Sequence, residues 1–323
     1  MSQSRTALDD NEYSTRFNRL NGAINNLAFN IRKDWRTLPA WIEGYVSPDA
    51  IKTGKQEMTA VGRAVIVRWI VDEVFNKCFH PGLDFELSLH LKMIEHNIRR
   101  FSYTLNSQEE YDALTAKVVN WRMATLEGLQ HVLNSPESND YRTEYTKMVA
   151  SNLTAAIFQY LNDPPPAGVD GSASMIMELV VGIIANLPME SRDVAITYPL
   201  PGEPIRPEIM EPEKTALPPL PDPADDGEDG GAGTGAGGDK ASKRDKTKSG
   251  MLTMLGGTAP HPASRKGSTA SVITDTTTTS AAAAGASTAP PPKDPTKVRF
   301  AGFLAVEVRG RQVLVKAPVW TLG

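Results

Sequence analysis

The sequence predicts an all-α fold, a six-helix bundle, followed by a long disordered Pro/Gly/Ser/Thr-rich tail and a short C-terminal β-hairpin. Three observations carry the prediction. Apolar residues recur at steps of three and four from Phe17 to Leu187 with no strand alternation between them. The 25 glycines and 24 prolines crowd beyond position 188, where large apolar residues thin out. Alternation of the period-two kind then reappears near the end, at Val298, Phe300, Leu304, Val306 and Val308. The expected organisation is a disordered N-terminus at 1–12, a helical module at 13–190, a disordered linker at 191–295 and a β-hairpin docking element at 296–323.

The first helix is expected over Ser14 to Trp35, with Phe17, Leu20, Ile24, Leu27, Ile31 and Trp35 on one stripe close to a coiled-coil seam. Leu38-Pro39 ends it, and a connector containing Trp41 and Tyr45 leads past Pro48. A second helix runs from about Lys55 to Phe79, closed by His80-Pro81-Gly82, and Asp84 caps the third. That third helix has the cleanest stripe, Leu87, Leu91, Ile94, Ile98, Phe101 and Leu105, with Lys92, Glu95, Arg99 and Arg100 expected to face water. Ser107-Gln108-Glu109-Glu110 is a capping box that opens a fourth helix, ended by Ser135-Pro136. A fifth spans about Asp140 to Leu161. The sixth, about Ser172 to Asn186, is apolar on more than one face and too short, at Met175 to Leu187, for the roughly 20 residues of a membrane span.

A net charge of -4 supplies no concentrated positive field, which disfavours nucleic-acid binding. The single cysteine, Cys78, makes no intramolecular disulfide, and MSQSRTALDD lacks the basic start and apolar run of a secretory leader, so cytosol or nucleus is expected. Gly233 to Gly238 spells G-x-G-x-x-G, yet neither a strand before it nor a helix after it is predicted, so no nucleotide cofactor is expected. The five histidines and Cys78 offer no zinc spacing, and no nucleophile elbow or metal-hydrolase motif occurs. No catalytic, cofactor or metal residue is therefore assigned.

The residues that point to partners are of four kinds. Phe17, Leu20, Ile24 and Leu27 form a stripe that either packs on the chain's own helical module or pairs residues 14–35 with a second copy or another chain. Trp41 and Tyr45 sit on a connector, where an aromatic ring marks a binding surface. Pro218 and Pro221 lie in a proline segment suited to a polyproline-binding groove. Trp320 anchors the hairpin, and Ser268 after Arg265-Lys266 fits a basophilic kinase site.

The string Thr53 to Arg63 (TGKQEMTAVGR), followed by Trp69 and by Phe79-His80-Pro81, resembles a conserved helical domain of filamentous-fungal proteins, some with long coiled coils upstream. The resemblance spans residues 15–190, carries no catalytic motif, and implies an intracellular helical module acting beside a coiled coil. The functional expectation is a non-catalytic interaction or scaffold protein with one or more protein partners, the tail tethering a second docking element. Two other classes stay open: an enzyme or small-ligand bundle with a pocket lined by Arg63, Arg68, Trp69, His90 and Trp121, and a nuclear regulatory factor.

Overall fold

Each of the six long apolar repeats forms a helix in the computed structural model, which describes residues 8–100, 105–222 and 290–323. The helices are α1 (Asp10–Asn30), α2 (Ala40–Glu43), α3 (Ala50–Thr53), α4 (Gln56–Ile70), α5 (Phe85–Arg99), α6 (Gln108–Gly128), α7 (Gln130–Leu133), α8 (Pro136–Phe158) and α9 (Val169–Ile184). The expected connector thus holds two single-turn helices, and the expected second helix passes from α4 into a π-helical turn, Val71–Phe75. Pro136 starts α8 rather than merely stopping its predecessor, because proline at the first helical position forfeits only an N–H that has no intrahelical acceptor.

The caps at Asp84 and Ser107 stand where the sequence expects them, whereas Asp9 caps a helix that begins inside the stretch expected to be disordered. Asp9 Oδ1 accepts from the Glu12 amide at 2.7 Å, and Asp84 Oδ1 accepts from Glu86 and Leu87 at 3.1 and 3.2 Å. Ser107 Oγ accepts from the Glu110 amide at 3.2 Å, while the Glu110 carboxylate reaches back one residue further than a standard box, to the Asn106 amide at 2.8 Å.

The core is a ring of four helices: α1 packs on α4 and α9, α9 on α8, and α8 on α4. Phe17, Leu20, Ile24 and Leu27 are buried in it. The seam that the sequence offers to a partner is therefore internal. The apolar stretch that includes α9 is also longer than its sequence suggested. Val169–Met189 is long and apolar enough, by length and composition, to cross a membrane, and here Ile176, Met177, Val180 and Ile183 of that stretch are core residues.

The fold is not all-α. Two three-stranded sheets join the helices, built from β1 (Val194–Thr197), β2 (Met210–Pro212), β3 (Val298–Ala301), β4 (Ala305–Val308), β5 (Gln312–Val315) and β6 (Ala317–Thr321). One sheet has the order β1-β4-β5, all antiparallel; the other has β2-β6-β3, with β2 parallel and β3 antiparallel to β6. The predicted hairpin is present as β4 and β5, turning at Gly310, whose φ of 71° is one that favours glycine. It is no separate docking element. Phe300, Phe303, Leu304, Val306, Val319 and Trp320 belong to the same apolar core as α1, α4, α8 and α9.

Part of the expected linker is likewise structured, since β1 and β2 lie within 191–212 and pair with strands about a hundred residues later. One buried polar cluster and one indole hydrogen bond help to fix this arrangement. Arg299 of β3 forms an ion pair with Glu57 of α4 at 2.7 Å, and its other nitrogens donate to the carbonyls of Tyr45 and Pro218 at 2.8 and 2.7 Å. Ser47 completes that cluster by donating to the Glu57 carboxylate through amide and hydroxyl. The Trp320 indole donates to the Thr215 carbonyl at 2.9 Å, so the proline segment is laid down along β6. Gly302 is required where these parts meet: a Cβ there would stand 2.9 Å from the Arg63 guanidinium and 3.0 Å from the Trp320 ring. Asp222 and Lys293 pair at 2.8 Å, which joins the proline segment to the approach to β3.

Candidate functional site

The position of α5 determines the site. Ser88, in its first turn, is buried, and its hydroxyl accepts from the amides of Phe79 and His80 at 3.0 and 3.1 Å while lying 3.6 Å from the Cys78 sulfur. Those amides belong to the turn after the π-helical segment and have no helical acceptor, so satisfying them favours Ser88 pointing inward. Gly82 allows the same turn to approach α8, since a Cβ there would meet the Ser138 hydroxyl at 2.4 Å. Once Ser88 points inward, helical periodicity carries Lys92, Glu95 and Arg99 to the same face. Of the four residues that the sequence assigns to water, Lys92, Glu95 and Arg99 therefore turn toward the interior and Arg100 stays exposed.

Behind it lies a cavity of about 130 Å³, bounded by α5, Arg122 of α6, the end of the π-helical turn, Asp193 to Ile196, and Arg309 from the hairpin. Its walls are charged. Glu95, Arg122 and Asp193 are 7%, 4% and 3% exposed. Arg99 grips Asp193 with two nitrogens at 2.5 and 2.8 Å, and Arg309 Nε stands 3.2 Å from the same carboxylate. Lys92 and Arg99 flank Glu95 at 3.3 and 3.7 Å. Burial pushes the Glu95 carboxyl up, but Lys92, Arg99 and Arg122 together outweigh it and hold the group below its ordinary value. Burial pulls the Arg122 guanidinium down, opposed by Glu95 and Asp193. One Arg122 nitrogen donates to the carbonyls of Glu190 and Arg192 at 2.6 and 2.8 Å. Glu190, fully buried, is held by the Tyr13 hydroxyl at 3.0 Å and by Arg192.

The neighbouring face of α5, about a quarter-turn round the helix, is apolar and partly open. Leu87 and Ile94 are 39% and 43% exposed, and Leu91 and Ile98 are half-buried. An apolar row of this kind on an otherwise polar helix is unusual for a surface and marks a contact site.

The other sequence candidates are scattered. Trp41 is half-buried under the Arg68 guanidinium, 4.3 Å from its ring centre, with Tyr198 edge-on at 6.5 Å. It lines a groove of about 220 Å³ with Trp69 and Pro39. Tyr45 is half-buried and gives its carbonyl to Arg299. Pro218 and Pro221 are exposed, whereas Leu220 between them is buried and the Pro218 carbonyl is taken by Arg299. Trp320 is 7% exposed and serves the core, not a partner. Ser268, the glycine run at 233–238 and the basic stretch at 240–248 lie outside the described residues.

The five residues expected to line a ligand pocket do not converge. Arg68 and Trp69 share the groove with Trp41, Arg63 lies against Trp320 and Glu213, Trp121 packs on Phe79, and His90 is exposed on α5. The charged cavity escaped sequence reasoning because its walls come from residues 75 to 309. The inward run Ser88, Lys92, Glu95, Arg99 was a usable signal, since two buried polar side chains on one stripe need partners. Among the described residues no group of three or more His, Cys, Asp or Glu side chains is placed to hold a metal ion. No family model matches the chain, and neither the curated proteins nor the solved structures contain a match to it.

Proposed function

We propose that the chain is a non-catalytic protein-interaction module whose docking face is the outer stripe of α5, and that the helix it takes is α5 of a second copy. The observation that carries this reading is the row Leu87, Leu91, Ile94 and Ile98, of which Leu87 and Ile94 are exposed and Leu91 and Ile98 half-buried among the described residues. Its spacing of four, three and four reads the same in both directions. An antiparallel pair with its two-fold axis at the level of Lys92 and Met93 sets Leu87 opposite Ile98 of the second copy and Leu91 opposite Ile94. A self-complementary patch of this kind is what an isologous interface requires, and antiparallel packing also aligns the two helix dipoles favourably. The single cysteine is buried, which suits a reducing compartment, cytosol or nucleus.

Light scattering across a concentration series tests the reading. The wild-type mass is expected to rise from 35.1 kDa toward twice that value, while a Leu91→Glu, Ile94→Glu variant stays at the monomer mass. The variant's unfolding midpoint at low concentration should match wild type, because neither side chain is in the core. A wild-type chain that keeps the monomer mass throughout, or a variant that associates as well as wild type, would overturn it.

A further inference from the structure

We infer that the charged cavity beneath α5 is a binding site for a small oxyanion of phosphate size. Three independent features of the cavity lead there. Its lining holds four cationic side chains, Lys92, Arg99, Arg122 and Arg309, against two carboxylates, Glu95 and Asp193. Extending the network to Glu190, Asp10 and Arg192 leaves one cation still in excess. Such an excess around a buried guanidinium is costly until an anion joins it. Second, the Nε–H of Arg122 is buried without a hydrogen-bond acceptor, and Arg122 as a whole is only 4% exposed. A buried guanidinium donor left open on the cavity wall, with Arg309 and Lys92 beside it, suits the several acceptor oxygens of a phosphoryl group. Third, the π-helical turn Val71–Phe75 ends at this cavity, with Phe75 and Asn76 in its wall, and such turns recur where a helix is adapted to a site.

The carboxylates have a defined part in this arrangement. Asp193 is shared by Arg99 and Arg309 and Glu95 by Lys92 and Arg99, which leaves Arg122 as the open donor that meets the ligand, with Lys92 and Arg309 able to turn a further N–H toward it. Glu95 opposes it, restraining Lys92 and keeping the empty cavity closer to neutrality. A volume of about 130 Å³ admits the phosphoryl group itself. The ligand is therefore either free phosphate or the phosphoryl end of a small ester whose body remains outside.

Titration calorimetry of the full chain with inorganic phosphate, at an ionic strength held constant with chloride, tests the site, and a parallel titration with glycerol phosphate separates the two sources. Saturable binding of one equivalent is expected, tighter for whichever source is the natural one. Lys92→Met should weaken binding by about tenfold or more, the scale of one charge-assisted hydrogen bond. Glu95→Gln should tighten it, an effect that no folding defect produces. Heats no larger than those of chloride with both titrants, or phosphate affinities unchanged in Lys92→Met and Glu95→Gln, would show that water serves these donors and overturn the inference.

Discussion

Phe300→Ala is expected to lower the free energy of unfolding by on the order of 3 to 5 kcal/mol, the cost of emptying a large aromatic from a packed core. The ring is fully buried, 5.2 Å from that of Trp320, on a strand hydrogen-bonded to β6. The loss should appear equally in helical circular dichroism and in tryptophan fluorescence during urea unfolding, because the strands and helices share one core. Leu200→Ala, at a side chain 40% exposed, is the control and should change stability by no more than about 0.5 kcal/mol. A helical transition that ignores Phe300→Ala while fluorescence shifts would mean that the C-terminal strands fold apart from the helices.

Arg299→Met should be comparably severe, at about 3 to 5 kcal/mol, because it strands Glu57 as an unpaired charge in the interior. Arg299 and Glu57 are 3% and 2% exposed, and the guanidinium also serves the carbonyls of Tyr45 and Pro218. The sign of the double variant is the informative part. Arg299→Met combined with Glu57→Met removes both charges and should recover part of the loss, leaving the Ser47 amide and the two carbonyls as the remaining cost. Urea unfolding of the three variants checks this; a double variant less stable than Arg299→Met alone would mean that the pair's charge is not what the single substitution disturbs.

The helices were legible in the sequence because their signal is local. Apolar steps of three and four, the caps at Asp84 and Ser107 and the breaks at Pro39 and Pro136 all act within one or two turns, and the six long helices appear where those signals stand. What periodicity does not specify is the neighbour that covers a stripe. The stripes of α1 and α5 have nearly the same spacing and different surroundings. Leu20 and Ile24, open to either their own module or a partner by sequence, are core, whereas on α5 Ile94 is exposed and Leu91 half-buried. The difference lies in Ser88, Glu95 and Arg99, whose partners sit in the 78–82 turn, on α5 itself and at Asp193.

The strands β1 and β2 were missed for a related reason. Each is only three or four residues long in a proline-rich setting, and what holds it is pairing with β4 or β6 far along the chain. The charged cavity inherits that difficulty, since Arg309 arrives from the hairpin and Asp193 from the approach to β1.

The inward polar face and outward apolar face of α5 carry both the proposed docking surface and the proposed anion site. They are tested most directly by thiol labelling, for which the chain is well suited: its one cysteine, Cys78, is 4% exposed and gives a slow background. Ile94→Cys, measured in dilute protein, should react about tenfold or more faster than Cys78, whose reaction waits on local opening. Ser88→Cys on the inward face, fully reduced beforehand because its thiol would lie beside that of Cys78, should stay near the Cys78 rate. Slow labelling at position 94 with fast labelling at position 88 would mean that α5 is turned the other way, and both proposals would fall with it.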